Sequence, residues 1–175
     1  MRVSVIGSSG SGKTTFGRAL ASRLDVPFVE LDSIFHQPGW TMLPDEEFRA
    51  RVRTIVERDA WVVDGNYSVV RPIVLDRATT VVWLDYSRQR VMARVIRRSA
   101  VRAVTRTELW NGNREAMRSW IDPDHPIRAT WSHFRRHRVE YAQRLSQPQY
   151  QRIELQRFQS PRVAKMWLDA VPPVH

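Results

Sequence analysis

Cysteine is missing from this chain, which excludes disulfides and thiolate-bound metals. No apolar run approaches 18 residues, so no membrane-spanning helix is expected. Met1-Arg2 leads straight into an apolar stretch without a signal-peptide pattern, and a cytoplasmic location is the expectation that follows. There is no internal repeat, no linker dividing the chain and no N-K-x-D guanine motif. Lysine is almost missing as well. Of 28 basic residues only Lys13 and Lys165 are lysines, and the rest are arginines. Where arginine is the default cation, a lysine marks a position that needs a compact point charge.

What is present supports one packed domain over residues 1–175. The chain is 42% hydrophobic and carries seven tryptophans, too apolar for disorder and long enough for a real core. The formal charge of +10 is concentrated. Between Arg88 and Arg138 there are 13 arginines against Glu108, Glu115, Asp122 and Asp124, a net of +9. Arg90, Arg94, Arg98, Arg102 and Arg106 recur every four residues, a like-charged stripe that destabilises a helix unless an anion answers it. A triphosphate, a nucleic-acid backbone or plain solvation of an arginine-rich face each accounts for the stripe.

The most informative segment is Gly7-Ser8-Ser9-Gly10-Ser11-Gly12-Lys13-Thr14-Thr15, which fits the phosphate-loop pattern G-x-x-x-x-G-K-[ST]. Val3 to Ile6 reads as the strand before it. Phe16, Leu20 and Leu24 give the following helix its apolar spacing. Glycines let successive N–H groups turn toward an anion, and the helix N-terminus adds a favourable dipole. Lys13 suits the β- and γ-phosphates, and the Thr14 hydroxyl suits Mg²⁺. The segment predicts that ATP or a related triphosphate binds at residues 7–15.

Further strands are expected at Pro27–Leu31, Ala60–Val63, Thr79–Leu84 and about Tyr150–Leu155. Helices are expected from Pro44 to about Arg58, Ser87 to Thr105, Pro126 to Leu145 and Ser160 to Ala170. This alternation predicts an α/β fold, a five-stranded parallel sheet covered by helices in three α/β/α layers. A small Arg-rich helical lid is expected at about residues 99–125. Ligands of such sheets lie beyond the carboxyl ends of the strands. Three of those ends carry an aspartate: Asp32, Asp64 and Asp85. Of Asp32 and Asp64, one is suited to bind Mg²⁺ through water and one to accept the proton of an acceptor hydroxyl, provided their strands flank the first. A turn or capping role is the alternative for both, and for Asp85 it is the expected one.

The whole layout resembles the P-loop nucleoside and nucleotide kinases of the adenylate kinase type. In that family an Asp-Gly step ends the strand before the acceptor site, as Asp64-Gly65 does here, and the resemblance implies that Asp64 organises Mg²⁺. The family's phosphate-contacting arginines on the helix leading into the lid imply that role for Arg94 and Arg98. More closely, Leu31 to His36 with Pro38-Gly39-Trp40, Trp61 to Tyr67, and Glu108 to Glu115 resemble the adenylate-kinase-related bacterial topology modulation proteins. Departures narrow the acceptor. No arginine or lysine occurs from Ser33 to Trp40 to grip an AMP phosphate, and Ile34 stands where shikimate kinases have a second aspartate. The Asp32-to-His36 spacing resembles gluconate-type kinases, which keeps a sugar-like acceptor open.

Together these observations predict an ATP- and Mg²⁺-dependent kinase for a nucleoside, nucleotide or sugar-like acceptor. Lys13, Asp32, Arg94 and Arg98 are its expected catalytic residues, and Asp32, His36, Trp40, Asn66 and Arg71 its acceptor side. His36 is alternatively a surface-loop residue, and Trp40 either stacks on a ring or anchors its loop. Arg114 is a candidate charge clamp in the lid, and Gln156, Arg157 and Gln159 resemble an adenine-holding loop. Trp120 and Trp131 are read as core anchors. A nucleic-acid-associated ATPase or end-phosphorylating kinase is the alternative, suggested by the +9 segment with Trp110, Trp120 and Trp131. An inactive nucleotide-sensing module is the third.

Overall fold

The computed structural model describes residues 1–105, 108–113 and 126–173. Arg106, Arg114, Glu115 and Trp120 lie outside the described residues.

Five strands make one parallel sheet: β1 (Arg2–Gly7), β2 (Phe28–Glu30), β3 (Trp61–Asp64), β4 (Thr80–Leu84) and β5 (Glu154–Phe158), in the order β2-β3-β1-β4-β5. The helices are α1 (Lys13–Leu24), α2 (Leu31–Phe35), α3 (Asp45–Val56), α4 (Arg71–Arg77), α5 (Arg88–Thr105), α6 (Pro126–Leu145) and α7 (Pro161–Ala170). Alternation along the strands supplies two separate cores. Ile6, Trp61, Val63, Val81 and Trp83 pack with Phe48 and Val52 of α3, Val74 of α4 and Tyr141 of α6. Val3, Val5, Val62, Val82 and Leu84 pack with Leu20 of α1, Val91 and Val95 of α5 and Ala164 of α7. A strand buried on both faces is apolar along most of its length, and β3 and β4 are buried at every position, with a polar residue only at one end of each, Asp64 and Thr80. The predicted three-layer α/β/α architecture is the observed one.

Four details differ from the sequence expectation. The second strand ends at Glu30, and Leu31–Phe35 is a short helix, so Asp32 sits in a first helical turn rather than at a strand end. Only β3 flanks β1 on that side, with β2 one place further out. The fifth strand is displaced by several residues, to Glu154–Phe158, because Pro148–Tyr150 and the turn after it consume its expected start. The helix α4, unannounced by a long periodic stretch, fills the crossover from β3 to β4.

Candidate active site

The site is built where β1 ends. Gly10 (φ +79°) and Gly12 (φ +93°) occupy left-handed backbone that a side chain would strain, and a Cβ on Gly10 would collide with Val95 of α5. The loop therefore packs directly on α5. Ser11 N–H donates to Ser8 O at 3.1 Å, closing the turn. No side chain caps α1, so the N–H groups of its first turn face an incoming anion. Lys13 Nζ curls back to Ser8 O at 3.3 Å, which places its charge over the loop. Asn66 braces the loop from the side, its amide nitrogen donating to Gly7 O and its Oδ1 accepting from Gly7 N–H at 3.4 Å.

The Thr14 hydroxyl lies between two carboxylates, 2.6 Å from Asp64 Oδ2 and 3.2 Å from Glu30 Oε1. Strand register explains the convergence. Glu30 and Asp64 are paired across β2 and β3, and Asp64 is one place beyond the pairing partner of Ser4, beside Val5 of β1. Asp64 is 3% exposed and its Oδ1 has no hydrogen-bond partner among the described residues. A buried, unpartnered carboxylate oxygen is costly, and a hard cation or its water satisfies it. The donors are all oxygens, which fits Mg²⁺, although no cluster of three acidic or histidine ligands occurs among the described residues. Burial pushes the Asp64 carboxyl above the usual range, opposed chiefly by the nearby Lys13 charge. Glu30 is one residue of this cluster that sequence reasoning missed. Its signal was an acid at the last position of β2, obscured by reading the strand through to Asp32.

On the other side of the loop, Arg94 Nη1 donates to Ser11 O at 3.3 Å and Arg98 Nη2 to Ser9 Oγ at 2.9 Å. The two middle members of the arginine stripe thus converge on the phosphate loop.

Asp32 faces the same mouth from α2. Tyr67 donates its hydroxyl proton to Asp32 Oδ1 at 2.6 Å, and His36 Nε2 lies 3.3 Å from the same hydroxyl. Because the Tyr67 proton goes to Asp32, its oxygen accepts from Nε2–H, leaving the buried Nδ1 as an acceptor with no protein partner. Burial lowers the His36 pKa, with the Asp32 charge opposing, so the ring is held neutral. Burial and Asp32 likewise push the Tyr67 phenol far above its ordinary range. Tyr67 was also missed by sequence reasoning, since nothing local marks a tyrosine whose partner is 35 positions away.

The remaining candidates separate. Trp40 is 41% exposed and meets the His36 ring edge-on, with centroids 5.3 Å apart. Arg71 turns back, donating to Asn66 O at 3.1 Å, lying over the Tyr141 ring and approaching Glu140 of α6 at 3.9 Å. Asp85, expected to be structural, accepts from Arg138 and Arg157 at 2.9 and 2.6 Å. Gln156 and Arg157 belong to β5 rather than to the loop after it, which leaves Gln159 as the one of the three residues that follows the strand. Trp131 is 59% exposed with Arg88 stacked 3.5 Å from its ring centre, not a core anchor.

Comparison with known proteins agrees with this geometry. The shikimate kinase family model matches residues 9–61. The chain is 34% identical over 100 residues to a shikimate kinase of Symbiobacterium thermophilum, covering 49% of this chain and 58% of that protein. It is 32% identical over 118 residues to a shikimate kinase of Parasynechococcus marenigrum, covering 59% of this chain and 62% of that protein. In these alignments the chain spans about three fifths of the length of its relatives. The crystal structure of shikimate kinase from Bacteroides thetaiotaomicron superposes with a TM-score of 0.54 at 16% identity, covering 97% of this chain and 94% of that one. The chain is thus a P-loop α/β protein with the fold of the adenylate-kinase-like small kinases, and similar in sequence to shikimate kinases.

Proposed function

We propose that this protein is an ATP-dependent phosphotransferase that moves the γ-phosphoryl group of ATP to a hydroxyl of a small molecule held beside Asp32. One observation carries the reading: the Thr14–Asp64 pair, with its unpartnered carboxylate oxygen, opens on the same strand ends as the Asp32–Tyr67–His36 chain. In this reading the acceptor oxygen bonds to the γ-phosphorus, the bond to the bridging oxygen of ADP breaks, and the acceptor proton passes to the Asp32 carboxylate. Lys13, Arg94 and Arg98 balance charge on the moving group, and the backbone N–H groups of residues 7–15 position it. Thr14 and Asp64, with Glu30 behind them, are the residues that would hold Mg²⁺. When bound, Mg²⁺ supplies neutralisation of the phosphate oxygens.

Similarity to shikimate kinases makes shikimate the first acceptor to test. Ile34 in place of a second aspartate makes the acceptor contacts of this chain differ from theirs. The finer likeness to topology modulation proteins, carried by residues 31–40, 61–67 and 108–115, belongs to this proposal and leaves nucleosides and sugars in the panel. The basic stripe does not require nucleic acid, since Arg94 and Arg98 face the phosphate loop.

The test is an ATP-consumption screen with shikimate, nucleosides, nucleotides, sugars and oligonucleotides, using Lys13→Ala and Asp32→Asn as controls. Turnover with at least one small acceptor is expected, reduced on the order of 10³-fold by Lys13→Ala. Near-normal turnover in Lys13→Ala would remove the assignment.

A further inference from the structure

The turn Trp110–Gly112 and the residue after it grip the acceptor-side loop through its main chain. Asn111 takes a left-handed conformation (φ +56°), which presents its amide to the loop. From there its Nδ2 donates to Ser33 O at 3.2 Å and also to His36 O. Asn113 is 4% exposed and fully used: Oδ1 accepts from Trp40 N–H at 2.8 Å, and Nδ2 donates to Gln37 O at 2.9 Å. The turn is itself closed by Leu109 N–H to Asn113 O at 2.7 Å and Asn113 N–H to Trp110 O at 3.1 Å. Trp110 then lies on His36, with centroids 5.7 Å apart and planes 21° from parallel, while Trp40 meets the same ring edge-on at 79°.

These bonds have a shared consequence. Two amide side chains, 70 or more positions away in sequence, supply hydrogen bonds to the backbone of residues 33–40. Those residues carry His36, whose Nε2 supports the Tyr67 hydroxyl that in turn orients Asp32. Beyond the end of α2, the segment is ordered locally by a bridge between His36 and Met42, a three-residue 3-10 turn and main-chain bonds such as Gln37 N–H to Thr41 O at 2.8 Å. The two asparagines add partners from a distant part of the chain.

We propose that Asn111 and Asn113 are positioning residues that latch the Ser33–Trp40 loop, seat Trp110 on His36, and so hold the His36–Tyr67–Asp32 chain in line for an acceptor. The meaning of Asp32 as the acceptor group rests on the proposed function. The latch itself does not. It makes residues 108–113 part of the acceptor side of the site, distinct from the nucleotide side served by Arg94 and Arg98. Asn113 is a demanding position because loss of its side chain removes the partners of both a part-buried N–H and a part-buried C=O.

The test uses the full chain without ligand and then with Mg²⁺-ATP alone. Hydrogen exchange by mass spectrometry compares wild type with Asn113→Ala and with Asn111→Gly, the latter keeping the left-handed backbone while removing the amide. Peptides spanning residues 33–41 are expected to exchange roughly tenfold faster in each variant, with β1, β3 and β4 unchanged. The His36 ring, followed by NMR titration, is expected to move its midpoint up toward the ordinary 6.5 as its cover loosens. Mg²⁺-ATP affinity is expected to stay within about twofold of wild type. Unchanged exchange at residues 33–41 in both variants would overturn the latch, as would a uniform rise across the sheet. A matching loss of Mg²⁺-ATP affinity would also overturn it, because the turn would then serve the nucleotide. Failure of the kinase reading would show in the acceptor screen and would leave the exchange pattern intact.

Discussion

At the scale of single residues, the contacts around Thr14 and Asp32 separate two tasks. Asp64 and Glu30 share the Thr14 hydroxyl, whereas Asp32 is tied to Tyr67 and His36. Substitutions should therefore split kinetically. Tyr67→Phe removes the proton donated to Asp32 while keeping the ring that packs between Phe35 and Phe48. We expect acceptor turnover to fall about 10- to 100-fold with the KM for ATP unchanged, measured by steady-state kinetics with the acceptor from the screen. Thr14→Ala should instead weaken Mg²⁺-ATP binding, by about tenfold, in a direct binding titration. Lys13, Thr14 and Asp64 were legible in the sequence because a local pattern carries them. Tyr67 and Glu30 were not, because their meaning comes from partners supplied by other strands and helices.

Among the elements, β5 and α6 show how a residue outside the chemistry organises the frame. Asp85 follows β4, is 6% exposed, and joins Arg138 of α6 to Arg157 of β5. Arg157 also lies over Trp83, with its guanidinium 4.2 Å from the ring centre. Removing one partner of a buried charge cluster is costly, although both arginines here retain partial access to water, which reduces the loss. Asp85→Ala is expected to lower stability by about 2 kcal/mol in urea unfolding, without changing Mg²⁺-ATP affinity. Gly65 gives a second check on elements. Its φ is +149°, and a Cβ there would come 2.7 Å from the Leu31 Cβ, where α2 meets the end of β3. Gly65→Ala should therefore cost about 1–3 kcal/mol by the same measurement. The strands β1, β3 and β4 were readable as apolar runs because both of their faces are buried. The edge strand β5 was misplaced because its residues are largely exposed and its apolar pattern is correspondingly thin.

For the whole molecule, net positive charge and buried histidines set the response to pH. His36 and His137 both have pKa values lowered from 6.5, in each case mainly by burial. Above about pH 6.5 both folded and unfolded chains hold these rings neutral, and they make no difference to stability. As the pH falls through 6.5, the unfolded chain takes up protons that the folded chain refuses, so stability declines. The decline levels off once the pH passes below the folded-state values. The His36→Gln, His137→Gln double variant should show a smaller loss of urea midpoint between pH 7.5 and pH 5 than the wild type, and a parallel loss would contradict this account. No described helix is long and apolar enough to cross a membrane.

The sequence alone determined the phosphate loop, the α/β class and the apolar central strands, because each of these follows from local chemistry: glycine freedom, one of only two lysines in the chain, β-branched runs between helical stretches. It also singled out Arg94 and Arg98 and the aspartates at 32 and 64, through spacing and resemblance. Tertiary structure decided which of those groups meet. Strand order set Glu30 beside Asp64. The packing of α5 against the loop turned an arginine stripe into two cations that reach residues 9 and 11, and the fold of residues 108–113 onto residues 33–40 gave His36 its cover. Such contacts join residues tens of positions apart, and no local periodicity encodes them.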